Sequence, residues 1–120
     1  MSYFDDVKRW HEDFNIPTPS APVEDPDWKL RWKVTVEELR EFEDAMFSRD
    51  KVKTLDAIVD GVFTLIGTAV RYGWDFDTAW QRLLESNASK KGPNGEIFMD
   101  ELGKILKGPN FIPLKVDDLV

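Results

Sequence analysis

The chain has 120 residues, 42% of them hydrophobic, with five tryptophans, no cysteine and a formal net charge of −7. That length and apolar content suit one compact domain over residues 1–120. The lack of cysteine excludes disulfide scaffolds, thiolate metal sites and cysteine nucleophiles and suits a reducing cytoplasm, while the acidic balance argues against a nucleic acid polymer as partner.

SYFDDVKRWHEDF predicts an amphipathic first helix, N-capped by Ser2, with Phe4, Val7, Trp10, His11 and Phe14 on one face. His11 on that face reads as a hydrogen-bonded core histidine rather than a catalytic one. The prolines at 17, 19, 22 and 26 rule out a continuous helix or central strand, so this segment wraps over the surface. Asp25 and Pro26 read as the N-cap and first residue of a second helix that runs to Phe47 and ends in the polar turn SRDKVK. TLDAIVDGVFTLIGTAVRY predicts a third helix stopped by Gly73. It is short for a bilayer span and interrupted by Asp60, so no membrane segment is expected. A fourth helix begins after Asp75 or Asp77 and ends before Gly92 and Pro93. In the tail, DELG reads as a turn between two short strands or as part of a short helix.

The third helix poses the chemical question, because Asp56 and Asp60 sit in an otherwise apolar run and a buried, unpaired carboxylate costs several kcal/mol. With about 100° per residue, Asp56, Asp60, Thr64, Gly67 and Arg71 form one narrow polar stripe. In the second helix Glu38 falls inside the apolar arc of Leu39, Phe42, Ala45 and Met46, with Glu41 at its edge, Glu37 adjacent and Glu43 opposite. Two helices joined by a short turn pack antiparallel, bringing Glu38 and Glu41 opposite Asp56 and Asp60. Carboxylates converging in this way repel unless a divalent cation is present, and all-oxygen ligation points to magnesium, with manganese as a substitute. A solvated acidic helix face accounts for EELREFEDA but not for the two aspartates.

VEELREFEDA followed by DAIVDG resembles the EExxE and acidic second-helix motifs of the all-α nucleoside triphosphate pyrophosphohydrolases, the MazG and phosphoribosyl-ATP pyrophosphohydrolase-like superfamily. The usual second motif is ExxD; here Ala57 stands three before Asp60, and Asp56, four before, is similar to a DxxxD variant. SNASK resembles the Asn and Lys pair of that superfamily, and LGKILKGPNFIPL is similar to the tail of short phage-type members. Among those, the MazZ branch converts guanine triphosphates to monophosphates. The resemblance implies that Glu38, Glu41, Asp56 and Asp60 hold magnesium, that Glu37 orients or deprotonates the attacking water, and that Asn87 and Lys90 contact the nucleotide. It also implies a MazG-like bundle whose four-helix core is completed by oligomerisation, with a small C-terminal hairpin or irregular tail.

Other residues carry two readings. Arg31 and Arg71 either reach a phosphate or salt-bridge the carboxylates, and Lys104 and Lys107 are phosphate contacts from the tail. Asn87 shares a face with Trp80, Leu83 and Leu84, where an amide needs a helix-terminal or ligand hydrogen bond. Trp28, Trp32 and Trp74 pack in the core or stack on a base. Asn15, after the first helix, is either a helix-terminal residue or an acceptor for guanine. The expected protein is a cytoplasmic, magnesium-dependent hydrolase of GTP or dGTP, a homodimer or homotetramer whose third helix needs cover from a second copy. The alternatives are phosphoribosyl-ATP hydrolysis and a non-catalytic helical interaction module.

Overall fold

The computed structural model describes residues 1–24 and 27–120. It contains four α-helices, α1 (Tyr3–Asp13), α2 (Trp28–Phe47), α3 (Lys51–Tyr72) and α4 (Phe76–Ala88), and a 3-10 turn at Asp117–Leu119. No strand occurs among the described residues, so the fold class is all-α as the sequence predicts. The expected Asp25 and Pro26 start of the second helix lies outside the described residues; α2 follows Asp27, whose side chain makes no cap bond. The chain divides into two compact units, Met1–Phe76 and Asp77–Val120.

In the first unit, α1 opens on a capping box. Ser2 Oγ accepts the Asp5 N–H at 3.1 Å and the Asp5 carboxylate accepts the Ser2 N–H at 3.0 Å. The helix ends where Asn15 takes a left-handed φ of 57° and the Ile16 N–H returns to the His11 carbonyl at 2.8 Å. Val7 of α1 meets Ile66 and Val70 of α3 in the buried core, flanked by Phe4, Phe63 and Phe76. His11 is buried beside them and its Nδ1–H donates to the Val7 carbonyl at 2.8 Å.

Between α2 and α3 the chain turns through Ser48–Asp50, with Arg49 at a left-handed φ of 56°. Asp50 caps α3 by accepting the Lys53 N–H at 3.0 Å. Ala45, Ala57 and Gly61 are buried, and such small side chains let two helix backbones approach closely. Toward the other end of the pair, Arg31 of α2 donates to the Thr64 carbonyl at 2.6 Å and to Thr68 Oγ1 at 3.1 Å. Gly67 leaves room for that guanidinium, which a Cβ would strike. α3 stops at Gly73, whose φ is 72° and whose missing side chain lets the backbone of Ala21 pass.

A broad apolar face stays open on this unit. Trp28, Trp32, Leu39 and Met46 of α2, and Leu55, Ile58, Val62 and Leu65 of α3, are each more than 40% exposed. Their spacings of four and seven on α2, and of three and four on α3, make each set one continuous stripe.

In the second unit the tail is fastened to α4. Arg82 donates to both carboxylate oxygens of Asp118, at 2.6 and 2.9 Å, and Ser86 Oγ donates to the Ile112 carbonyl at 2.8 Å. The turn predicted at DELG is present: Gly103 has a φ of 86°, and Met99 and Ile105 pair across it as an isolated antiparallel bridge.

Burial pushes the His11 imidazole below its ordinary value of 6.5; its bond to Val7 opposes the shift, and the charges of Arg31 and Arg71 add to it. The unfolded chain therefore protonates first, so this contribution to stability is present above about pH 6.5 and is lost as pH falls through the folded value. Melting curves at pH 7.5 and 5.5 should show the wild type losing a few degrees more than His11→Asn, since about 1 kcal/mol moves the midpoint of a small domain by several degrees. Equal losses would show that His11 does not titrate on folding.

Candidate metal centre

Glu38 and Glu41, one turn apart on α2, meet Asp60 of α3, and one carboxylate oxygen from each lies within 4.8 Å of the others. Glu41 and Asp60 are exposed, whereas Glu38 is half-buried and its Oε2 is shielded from solvent with no hydrogen-bond partner among the described residues. Burial raises the Glu38 pKa above the ordinary 4.5, the negative charges of Glu41 and Asp60 raise it further, and so do a hydrogen bond that the protonated form makes with the Glu41 side chain and the charge of Glu37. A buried, unsatisfied carboxylate oxygen facing two more carboxylates fits a hard, oxygen-preferring cation.

Asp56 stands outside that group. With Glu41 it lines a cleft of about 500 Å³ that also takes in Asp44, Ser48 and Lys53. Glu37 is exposed, about 100° round α2 from Glu38. Asp44 and Lys53 were not singled out from the sequence, although Asp44 follows Glu41 by three and Lys53 precedes Asp60 by seven, both spacings that hold a helix face.

The arginines hold the scaffold. Arg71 Nε donates to Asp27 Oδ2 at 3.1 Å and Arg71 Nη1 to the Pro17 carbonyl at 2.6 Å, while Arg31 bonds Thr64 and Thr68. Arg71 thus pairs with the start of α2 and not with the aspartate stripe. Asn15 is exposed at the end of α1. Trp28, Trp32 and Trp74 line a shallow groove with Leu65, Thr68 and Tyr72. Nine residues separate Trp32 from Glu41, about 180° round the helix, so this groove and the carboxylate cleft open on opposite sides of α2.

Three further candidates belong to the second unit. Asn87 is exposed, so its amide has access to solvent, and the tail covers the face of Arg82 and Ser86. Lys90 is half-buried and its carbonyl accepts the Gly108 N–H at 3.0 Å. Lys104 is exposed beside the turn, with its N–H donating to Asp100 Oδ1 at 2.9 Å.

An all-α chain that joins two acidic helices around such a group has the make-up of the MazG-like nucleoside triphosphate pyrophosphohydrolases. Residues 7–87 match the sequence model of the phosphoribosyl-ATP pyrophosphohydrolases, and the chain belongs to that family. No curated protein matches it. Membership brings pyrophosphohydrolase chemistry on a nucleotide substrate, in a family that is metal-dependent, and Glu38, Glu41 and Asp60 can hold an ion. Among the described residues no helix is long and apolar enough to cross a membrane.

Since the folded state favours the protonated form of Glu38, this residue supports folding below about pH 4.5 and ceases to as pH rises through the folded value. Without divalent ions, Glu38→Gln should therefore melt above the wild type at pH 7 and show no advantage at pH 4. Added magnesium should raise the melting point of the wild type more than that of the variant. A variant that melts below the wild type at pH 7 without metal would show that the carboxylates do not strain the fold.

Proposed function

We propose that the chain is a cytoplasmic, magnesium-dependent pyrophosphohydrolase that converts GTP or dGTP to the monophosphate and pyrophosphate. The observation that carries this reading is the meeting of Glu38, Glu41 and Asp60 around a shielded carboxylate oxygen to which no group donates among the described residues. These three residues would hold the magnesium, or manganese in its place, with Asp56 extending the carboxylate surface by one turn. When bound, the ion neutralises phosphate oxygens and acidifies water. Glu37 orients a water and takes its proton as the oxygen adds to phosphorus and the bridging P–O bond breaks, the electron pair leaving with pyrophosphate.

Asn87, Lys90 and Lys104 are assigned to the nucleotide, together with Arg71, whose Nε and Nη1 hold Asp27 and Pro17 and whose Nη2 has no partner among the described residues. The likeness of the GKILKGPNFIPL tail to guanine-directed phage-type members supports the base. Guanine presents donors on N1 and the exocyclic amine, and exposed Asn15 with the carbonyls of Ile16 and Thr18 supplies acceptors beside them; the Pro17 carbonyl already accepts from Arg71. A second reading, phosphoribosyl-ATP, is favoured by the family match. That substrate is also a purine nucleotide with a triphosphate, so the same metal chemistry would serve it.

Pyrophosphate release at equal, subsaturating concentrations of each nucleotide should be fastest with GTP and dGTP, and the panel should include phosphoribosyl-ATP. A preference for dUTP or dCTP would remove the purine assignment. Asp60→Asn should lower kcat by about a hundredfold or more while the chain stays helical, and Glu37→Gln should lose turnover yet keep its metal affinity. Full activity in Asp60→Asn would leave a non-catalytic helical module as the reading.

We also infer that the open apolar face of α2 and α3 is covered by a second copy, giving a homodimer or a dimer of dimers. Sedimentation should show such a species for the wild type and a smaller one for Leu65→Asp, which puts a charge in the middle of the stripe. A monomeric wild type at micromolar concentration would end this assignment.

A further inference from the structure

The cleft beside the carboxylate group holds a cation for which the proposed hydrolysis has so far found no use. Lys53, Asp56 and Asp60 follow one another at spacings of three and four, so they share a stripe of α3. Lys53 lines the cleft with Glu41, Asp44 and Asp56, yet among the described residues no carboxylate pairs with its ammonium group. Its backbone N–H is fixed by the Asp50 cap, which anchors the base of the side chain and leaves the Nζ end to move. Ser48, the other donor side chain in the cleft, turns its hydroxyl back to the Ala45 carbonyl at 3.2 Å.

Seven residues separate Lys53 from Asp60, about 10.5 Å of helix rise, a gap that a chain of phosphates and a lysine stem span together. We propose that Lys53 binds the departing pyrophosphate, so that the phosphate chain runs along α3 with its terminal groups toward the turn between α2 and α3. The nucleoside then lies toward the opposite end of α3, where Arg71 holds Pro17 two residues beyond Asn15. This rests on the metal-dependent hydrolysis proposed above. As the bridging P–O bond breaks, negative charge accumulates on pyrophosphate, and an ammonium group fixed near that charge stabilises it. The surrounding carboxylates repel anions that arrive without a cation.

The test uses the full chain with GTP and magnesium, comparing wild type, Lys53→Met and Lys53→Arg for kcat, for inhibition by inorganic pyrophosphate and by GMP, and for magnesium affinity by calorimetry. Lys53→Met should raise the inhibition constant for pyrophosphate by about tenfold or more, as expected for a lost charge-assisted hydrogen bond, and lower kcat. Inhibition by GMP and magnesium affinity should stay within about twofold, and Lys53→Arg should recover most of the pyrophosphate inhibition, because a charge is retained. Hydrolysis with unchanged pyrophosphate inhibition in Lys53→Met overturns the role of Lys53 alone. Loss of magnesium affinity in that variant overturns it too, since the lysine would then act through the carboxylates. No hydrolysis of any nucleotide by the wild type overturns the function and this inference together.

Discussion

Keeping three carboxylates within 4.8 Å of one another sets the terms for the rest of the first unit. Each like-charge pair at that separation costs roughly 1 to 3.5 kcal/mol between the dielectric limits of water and a protein surface. The lower end applies to Glu41 and Asp60, which are exposed and screened. The repulsion falls midway along α2 and α3, so the helices are tied on either side of it. At one end Arg31 donates to Thr64 and Thr68 across the pair. At the other, buried Ala45 and Ala57 bring the backbones together and Asp50 caps α3 close to the turn. The site is a strained middle between two closed ends.

α3 reconciles an almost wholly apolar sequence with this strain by dividing its circumference. One side takes α1 through Phe63, Ile66 and Val70, and another meets α2 through Ala57, Gly61 and Thr64. Asp56 and Asp60 lie on the flank next to these contacts, where carboxylates keep access to solvent. The remaining side, carrying Leu55, Ile58, Val62 and Leu65, is exposed. Because the tryptophan groove opens on the same side of α2 as Leu39 and away from Glu41, apolar cover and metal chemistry do not compete for one surface.

What the sequence made legible was local. Ser2, Asn15 and Gly73 mark helix ends through their own backbone and side-chain chemistry, and DELG is a turn for the same reason. Glu38 was legible as the inward carboxylate because it sits within the apolar arc of its own helix, whereas Asp56 and Asp60, expected inside a buried helix, are exposed because their side of α3 stays open to solvent. Pairings over long separations were not. Arg71 finds Asp27, 44 residues away, and Ser86 finds Ile112, 26 away; neither periodicity nor composition distinguishes these partners from others. The course of the tail over the Arg82 and Ser86 face of α4, leaving Asn87 exposed, was disclosed by no pattern. Lys53 and Asp44 escaped notice because a charged residue near a turn is ordinarily solvated, and only the closing of α2 on α3 puts them in a cleft.

The charge of that cleft has a consequence for selectivity under the proposed reading. A nucleotide triphosphate without its cation brings several negative charges to a surface that already carries Glu38, Glu41, Asp44, Asp56 and Asp60, and Coulomb repulsion opposes its entry. The cation is then a condition for binding as well as for chemistry, since it is attracted by protein and phosphate alike. After cleavage, pyrophosphate and monophosphate share the charge that was on one molecule. Each product is held by fewer contacts, and both are pushed outward by the same carboxylates. An acidic cleft with one lysine can therefore favour a metal-bound triphosphate on entry and still release what it makes.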